Sequence, residues 1–272
     1  MSATHELVLQ PEYFELVETV DRPTGKIGFI SDIVYKKGVM PTDDEIIAAA
    51  TEVDYYKGQL TTSRLKDVRE TLRRYIEARS EFEDKYTGDK ELIYLSSAAR
   101  DKVKTCVTHL LEDQEIDSLL HPLGWFSPIK SENEQAILCD LNVEIEGEQP
   151  FILKLKAKLD NYTLDIDNNK IVINDIKTHG KRISEFADAV QNWRYMREMA
   201  VYATLISLVA DKYYHMVNPK IEANFLVVST IPDYLTRVYK LRRKEFQEGI
   251  DEFKRLLKMV AYYTCQKNKE NG

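Results

Sequence analysis

The hydrophobic pattern changes along the chain, and its first part has the spacing of helices. Residues 42–45 (TDDE) are typical of a helix N-terminus and precede an apolar segment, IIAAATEVDYY. A second helix start at 61–63 leads into apolar residues that recur at helical spacing, and 96–120 form a third helical segment. Residues 1–124 are therefore predicted to be a mainly helical part that packs on the rest of the chain.

Residues 125–272 begin with β-like runs. Strands are predicted at 134–141, 143–145 and 151–159, with a turn at 146–148 and a hairpin tip at 167–169 before KIVINDIKT. A long helix capped by Ser184 follows, and then a strand in IEANFLVVST, a strand at 234–241 and a helix over 243–266. This order predicts an α/β (α+β) fold, with 125–272 as the core of one compact unit.

Two acids and a lysine fall together in this pattern. Asp160 ends one predicted strand, and Asp175 and Lys177 lie on its hairpin partner. Because side chains alternate along a strand, Asp175 and Lys177 share a face, while Ile176 points into the core. Carboxylate oxygens are preferred Mg²⁺ ligands, and a cation beside the attacking water suits metal-assisted hydrolysis. An Asp-x-Lys sequence is common on solvated strands, but IVINDIKT is too apolar to be an exposed edge.

The helix after Lys177 carries polar residues on one face. Tyr195, Glu198 and Tyr202 are spaced by three and four positions, so they stack on one side of a helix. This face is either a core face with amphipathic tyrosines or a surface that lies across the metal site. Arg194 and Arg197 lie next to it, where guanidinium groups can pair with phosphates.

Composition excludes some classes of protein. The net charge of −7 argues against a protein that coats nucleic acid nonspecifically. It does not exclude a nuclease, because local basic patches can bind phosphates on an otherwise acidic surface. The three cysteines are far apart and form no C-x-x-C pair, which argues against zinc, iron–sulfur and disulfide frameworks and favours a reducing cytoplasm. Without a signal peptide or a long apolar run, no membrane association is expected.

Four arginines of the predicted second helix form either a solvated face or a DNA contact: Arg64, Arg69, Arg73 and Arg74.

The order of motifs resembles a known nuclease superfamily. Strand–Asp, strand–Asp-x-Lys and a helix with Tyr-x-x-Glu-x-x-x-Tyr are similar to the PD-(D/E)XK nucleases, and more narrowly to the RecB/RecE-like exonucleases. The segment DIKT…F…YMREMAVY, with Phe186 between strand and helix, resembles exonuclease VIII-like proteins of phages, over roughly residues 130–210. The resemblance implies a restriction-endonuclease-like core, a central mixed sheet flanked by helices.

The resemblance also implies roles for individual residues. Asp160 and Asp175 would bind the metal with the Ile176 carbonyl, Lys177 would position or activate water, and the accessory helix residues would be Tyr195, Glu198 and Tyr202. Glu198 stands where the family usually has glutamine. The upstream glutamate is Glu134, with Glu144 as its rival, and His109 and His121 are the candidates for an upstream histidine ligand. A basic lining for DNA would draw on Lys154, Lys156, Lys158, Lys181 and Arg182.

The function implied is hydrolysis of phosphodiester bonds at duplex DNA ends by an exonuclease that uses Mg²⁺ or Mn²⁺. We expect a role in phage recombination or DNA processing in a bacterial or infected-host cytoplasm. The expected partners are DNA, a single-strand annealing protein and further copies of the chain in a ring. The alternatives are a structure-specific endonuclease on the same core and a catalytically inactive DNA-binding or assembly module. A further alternative is an all-helical scaffold, which would require that IVINDIKT and ANFLVVST are not strands.

Overall fold

The computed structural model describes residues 3–18, 22–122, 129–145 and 149–270, which form two compact units. The core unit comprises residues 1–10 and 105–272, and the helical unit comprises 11–104. The sequence divides the chain at residue 124 by helix content, whereas these two units are defined by contacts between residues. The division at residue 124 therefore stays a prediction. The predicted beginning of the β section at 125 and the predicted turn at 146–148 lie outside the described residues.

Helices predominate up to Leu120, and the longer strands follow. The helices are α1 (Ala3–Leu9), α2 (Gly25–Val34), α3 (Asp43–Glu52), α4 (Thr62–Lys85), α5 (Ser97–Glu112), α6 (Gln114–Leu120), α7 (Phe186–Asn192), α8 (Tyr195–Tyr214) and α9 (Arg243–Glu270). The strands are β1 (Phe14–Glu18), β2 (Glu91–Leu95), β3 (Ile129–Val143), β4 (Phe151–Asp165), β5 (Lys170–His179), β6 (Lys220–Ser229) and β7 (Thr236–Lys240). Among the described residues, no helix is long and apolar enough to cross a membrane.

Helix starts in the helical unit follow the capping signals of the sequence. Thr42 and Glu45 form a reciprocal capping box at the start of α3, and the Thr61 side chain accepts a hydrogen bond from the Arg64 backbone at the start of α4. Both predicted starts are confirmed. The unit also contains a two-stranded parallel sheet, β1–β2, which the helical expectation did not include.

The segment 96–120 contains two helices rather than the single one predicted. The Asp113 carboxylate accepts hydrogen bonds from the backbone of Glu115 (3.0 Å) and Ile116 (3.2 Å). This cap begins α6 immediately after α5 ends, because it satisfies backbone donors that a new helix leaves unpaired.

The core unit is built on a mixed five-stranded sheet with the order β3-β4-β5-β6-β7. Only β5 and β6 are parallel; the other neighbours are antiparallel. One face packs against α7 and α8, with Phe186 and Leu205 buried there. The other face packs against α1, α5 and α6, with Leu110 and Ile176 buried there. The predicted mixed sheet flanked by helices is confirmed.

Several boundaries differ from the sequence prediction. The strands predicted at 134–141 and 143–145 are a single strand, β3, which begins at Ile129. Asp160 does not end a strand: β4 continues to Asp165, because its later residues pair with both β3 and β5. The turn at 166–169 then confirms the predicted hairpin tip. The helix predicted to be capped by Ser184 is instead a 3-10 turn, Ile183–Glu185, followed by α7 and α8. Arg194 separates α7 from α8 because it has a left-handed backbone, with φ of 57°.

A row of asparagines crosses four strands of this sheet. Asn133, Asn161, Asn174 and Asn224 occupy paired positions on β3, β4, β5 and β6. The side-chain amide of Asn161 donates to Asn133 (2.7 Å), that of Asn174 to Asn161 (2.7 Å), and that of Asn224 to Asn174 (2.9 Å). Two of these amides also hold helix ends: Asn133 donates to the Leu9 carbonyl of α1 and Asn174 to the Leu119 carbonyl of α6. We call this row the asparagine ladder.

We expect Asn174→Ala to lower the free energy of unfolding by roughly 3 kcal/mol, because it leaves polar groups of Asn161, Asn224 and Leu119 buried without partners. Asn224→Ala, at the end of the ladder, removes one amide-to-amide bond and should cost only about 1–2 kcal/mol. Urea unfolding followed by circular dichroism measures both. Equal losses in the two variants would contradict a ladder that is strongest at its centre.

Candidate functional site

The predicted acids lie side by side on β4 and β5. Asn161 pairs with Asn174, so Asp160 and Asp175 occupy the next positions of the two antiparallel strands. The Asp160 carboxylate accepts a hydrogen bond from the Ile176 backbone at 2.8 Å, which holds it against β5. The hairpin therefore brings the two acids together, as the sequence predicts.

Lys177 links the sheet to α8. Its ammonium lies 2.7 Å from Asp175 Oδ2 and donates to Glu198 Oε2 at 3.1 Å. Tyr202, one turn after Glu198, donates its hydroxyl to Glu198 Oε1 at 2.9 Å. The Lys177 ammonium also lies 4.7 Å from the centre of the Tyr195 ring, a cation–π geometry. The predicted polar face of α8 thus lies across the acids and holds the lysine.

The charges of this cluster shift the pKa values of its members. Burial, together with the charge of Asp160, raises the pKa of the Asp175 carboxyl well above its usual range. Burial also opposes the charged form of Lys177, but the carboxylates of Asp175 and Glu198 outweigh it and raise the pKa of the ammonium. These two carboxylates therefore favour the charged form of Lys177. Burial and the nearby Asp175 raise the pKa of the Tyr202 hydroxyl, which stays protonated.

A second group of ligand atoms adjoins these residues. One ligand atom each of His5, Glu134 and Asp160 lies within 4.8 Å of the others, and His5 Nδ1 is 3.4 Å from Asp160 Oδ2. His5 comes from α1, far away in sequence, and was not among the predicted histidines. No local motif identifies His5 as a ligand. The residues at helical spacing after it, Val8 and Leu9, indicate only a helix that is anchored in the core.

The predicted alternatives lie elsewhere. His121 pairs with Asp117 on its own helix, His109 lies against the Tyr234 ring, and Glu144 is an exposed residue beyond the end of β3. Among the upstream candidates that the sequence left open, the fold brings only Glu134 to Asp160 within the described residues.

The donor set suits a hard divalent cation. Glu134 Oε1 is buried and accepts no hydrogen bond from the described residues. Asp175 is also buried, and its Oδ2 has the Lys177 ammonium as its neighbour at 2.7 Å. Buried carboxylate oxygens without hydrogen bonds are costly unless a cation compensates them. Carboxylate oxygens are the ligands that Mg²⁺ and Mn²⁺ prefer, and the His5 imidazole offers in addition a nitrogen ligand of the kind that transition metals accept.

Glu134 reaches this position through an unusual backbone conformation. Its φ is 53°, within β3, where the flanking residues Asn133 and Gln135 keep their pairing with β4. A left-handed conformation costs an L-residue about 1–2 kcal/mol. Its side chain is turned inward and pairs with the Lys158 ammonium, so this strain lies at the centre of the candidate site.

The predicted DNA-binding cations of the core unit lie on three different segments. Lys154, Lys156 and Lys158 alternate along β4 toward Asp160, whereas Lys181 and Arg182 are exposed after β5. Arg194 and Arg197 lie at the start of α8, and Arg197 is 3.7 Å from Glu252. In the helical unit, Arg69, Arg73 and Arg74 pair with acids and Arg64 lies over the Tyr56 ring, as in a solvated ion-paired face.

Comparison with known proteins adds little beyond this geometry. No family model and no curated protein matches the chain. One solved structure that it resembles is that of a "Putative exonuclease" from Eubacterium rectale, with a TM-score of 0.42 and 14% identity over 86% of this chain and 78% of that one. A likeness at this level does not transfer an activity to this chain.

Glu134→Gly and Glu134→Ala separate the strain at this residue from its carboxylate. Both remove the carboxylate and should weaken Mn²⁺ binding alike, as measured by titration calorimetry. Because only glycine adopts φ near 53° without strain, the Gly variant should unfold with a free energy about 1 kcal/mol higher than the Ala variant. A less stable Gly variant would show that the left-handed backbone is not strained.

Asp175→Asn should stabilise the protein in chelating buffer at neutral pH. The pKa of Asp175 is raised in the folded state, so its ionisation lowers stability as the pH rises above about 3.9, the ordinary value of an aspartate. Asparagine does not ionise, and the difference in thermal midpoint should shrink as the pH falls toward that value. Asp167→Asn, in the exposed hairpin turn, is the matched control. A lower midpoint for Asp175→Asn at pH 7 would contradict the burial penalty.

Proposed function

We propose that this chain is a metal-dependent deoxyribonuclease that hydrolyses phosphodiester bonds. The observation that supports this most directly is the convergence of His5, Glu134 and Asp160 beside the Asp175–Lys177 pair. Acids alone are common on protein surfaces. Here Glu134 and Asp175 are buried, Asp160 is half-buried, one Glu134 oxygen accepts no hydrogen bond from the described residues, and the Lys177 ammonium lies against Asp175.

The proposed roles follow from the contacts. His5, Glu134, Asp160 and Asp175 would hold Mg²⁺ or Mn²⁺, and the Ile176 carbonyl stays a predicted further ligand. When bound, such an ion supplies positive charge to the scissile phosphate and lowers the pKa of water. Lys177 offers a second positive charge to the phosphate, and Asp175, Glu198 and the Tyr195 ring hold its ammonium in place.

Glu198 has a specific consequence in this arrangement. A glutamine at this position would accept from Lys177 without adding negative charge, whereas Glu198 raises the pKa of the lysine. We assign Lys177 to orienting and neutralising the phosphate, because its ammonium lies between two carboxylates that favour the charged form. We assign Tyr202 to holding Glu198 and Tyr195 to holding Lys177.

Within this class we favour an exonuclease that acts on duplex DNA ends, with phage recombination or DNA processing as its setting. An annealing-protein partner and a ring of several copies remain part of the proposal. An endonuclease on the same core, or an inactive DNA-binding module, is the competing proposal. The paired and buried state of Asp175 and Lys177 favours an active site over a decayed one.

Cleavage of end-labelled linear and closed circular duplex DNA tests this proposal. With Mg²⁺ we expect loss of the linear DNA only, abolished by EDTA and reduced at least about a hundredfold in Lys177→Ala, because one preorganised charge contributes about that factor. Lys102→Ala, at an exposed position on α5, is the control for loss of a surface charge. Cutting of the circle would favour an endonuclease, and DNA retention without cleavage would favour a binding module.

A further inference from the structure

A groove runs along the core unit beside the candidate site. It has a volume of about 560 Å³, and its walls come from β4, the start of α8 and the middle of α9. Tyr195 and Glu198 line this groove and also contact Lys177, so the groove adjoins the candidate site. A chain bound in the groove would therefore lie next to the residues that hold Lys177.

The floor and the rim of the groove differ in chemistry. The floor is apolar, with Leu155, Val201 and Phe253 among its residues, while the rim carries Lys154, Arg194 and Arg197. Within the described part of the chain, Lys154 and Arg194 form no ion pair, and the Arg197 pair with Glu252 is long at 3.7 Å. An apolar floor under a cationic rim complements a ligand with flat apolar groups on an anionic backbone.

Trp193 stands at the edge of this groove and is 71% exposed. It lies between α7 and α8, next to the left-handed Arg194. Among the residues that the structure describes, no aromatic ring or cation contacts its ring, whereas Tyr195 already packs against Phe186 and Lys177. An exposed indole beside a cationic groove is a stacking platform of the kind that binds single-stranded nucleic acid.

We propose that this groove binds an unpaired segment of a DNA strand, with a base stacked on Trp193 and phosphates on Lys154, Arg194 and Arg197. The inference rests on the proposed nuclease function and specifies its substrate: a strand separated from its complement at the end being processed. The groove has the size of a site for a small organic ligand, so it accepts one or two opened nucleotides rather than a duplex.

Trp193 fluorescence tests the stacking directly. The chain has two tryptophans, so a Trp125→Phe background makes Trp193 the only indole. An oligothymidylate of about ten nucleotides, added in EDTA, should quench this fluorescence saturably, whereas closed circular duplex should not. In anisotropy titrations Trp193→Ala should raise the dissociation constant of the oligonucleotide roughly five- to 150-fold, and Trp193→Phe should recover part of this loss.

Charge variants test the rim. Lys154→Gln should weaken binding and reduce the salt dependence of the affinity by about one phosphate contact, while Lys66→Gln on α4 should leave the oligonucleotide affinity unchanged. Unchanged affinity in Trp193→Ala, or equal quenching by closed duplex, would overturn the proposal.

The two proposals fail separately. Quenching by the oligonucleotide without metal-dependent cleavage would support the groove and refute the nuclease function. Cleavage without quenching would refute the groove and leave the nuclease function intact.

Discussion

The asparagine ladder is the constraint on which the rest of the core unit depends. Each of the three candidate-site acids on the sheet is the sequence neighbour of a ladder member: Glu134 follows Asn133, Asp160 precedes Asn161, and Asp175 follows Asn174. The buried amides bond only when β3, β4, β5 and β6 are paired in one register. Since a shift of one residue turns every side chain to the opposite face, this register also decides that the three acids meet. The ladder holds α1 as well, and with it His5.

The burial of carboxylates at the site that the ladder positions lowers the stability of the protein. Three carboxylates lie in or near the interior, and the cations beside them, Lys158 and Lys177, compensate them only in part. The raised pKa of Asp175 reflects the burial of its carboxylate. The left-handed backbone of Glu134 adds conformational strain at the same site. Strain and partly compensated charge of this kind lower stability and are typical of functional sites. The hydrophobic faces of the sheet, packed by α8 on one side and α1 and α6 on the other, offset that cost.

Because the chain breaks between α7 and α8, the start of α8 contacts both Lys177 and the groove. Because Arg194 is left-handed, α8 begins as a separate helix with Tyr195 in its first turn. Its polar positions then contact Lys177 through Tyr195 and Glu198, and the same residues form the wall of the groove beside Trp193. In the proposed function, the catalytic lysine and the bound strand are thus aligned by a single rigid element.

The sequence by itself determined the parts of the site that are local in the chain. Asp160, Asp175 and Lys177 belong to one hairpin, and Glu198 and Tyr202 are one helical turn apart, so periodicity and a turn are sufficient to bring each set together. The mixed sheet and most helix starts follow from the same local signals. The tertiary structure alone decided that His5 joins the acids, that Glu134 rather than Glu144 does so, that β4 continues past Asp160, and that Arg194 divides the helix after the site. These features depend on contacts between residues far apart in the chain and on backbone strain that packing maintains, and neither leaves a periodic pattern in the sequence.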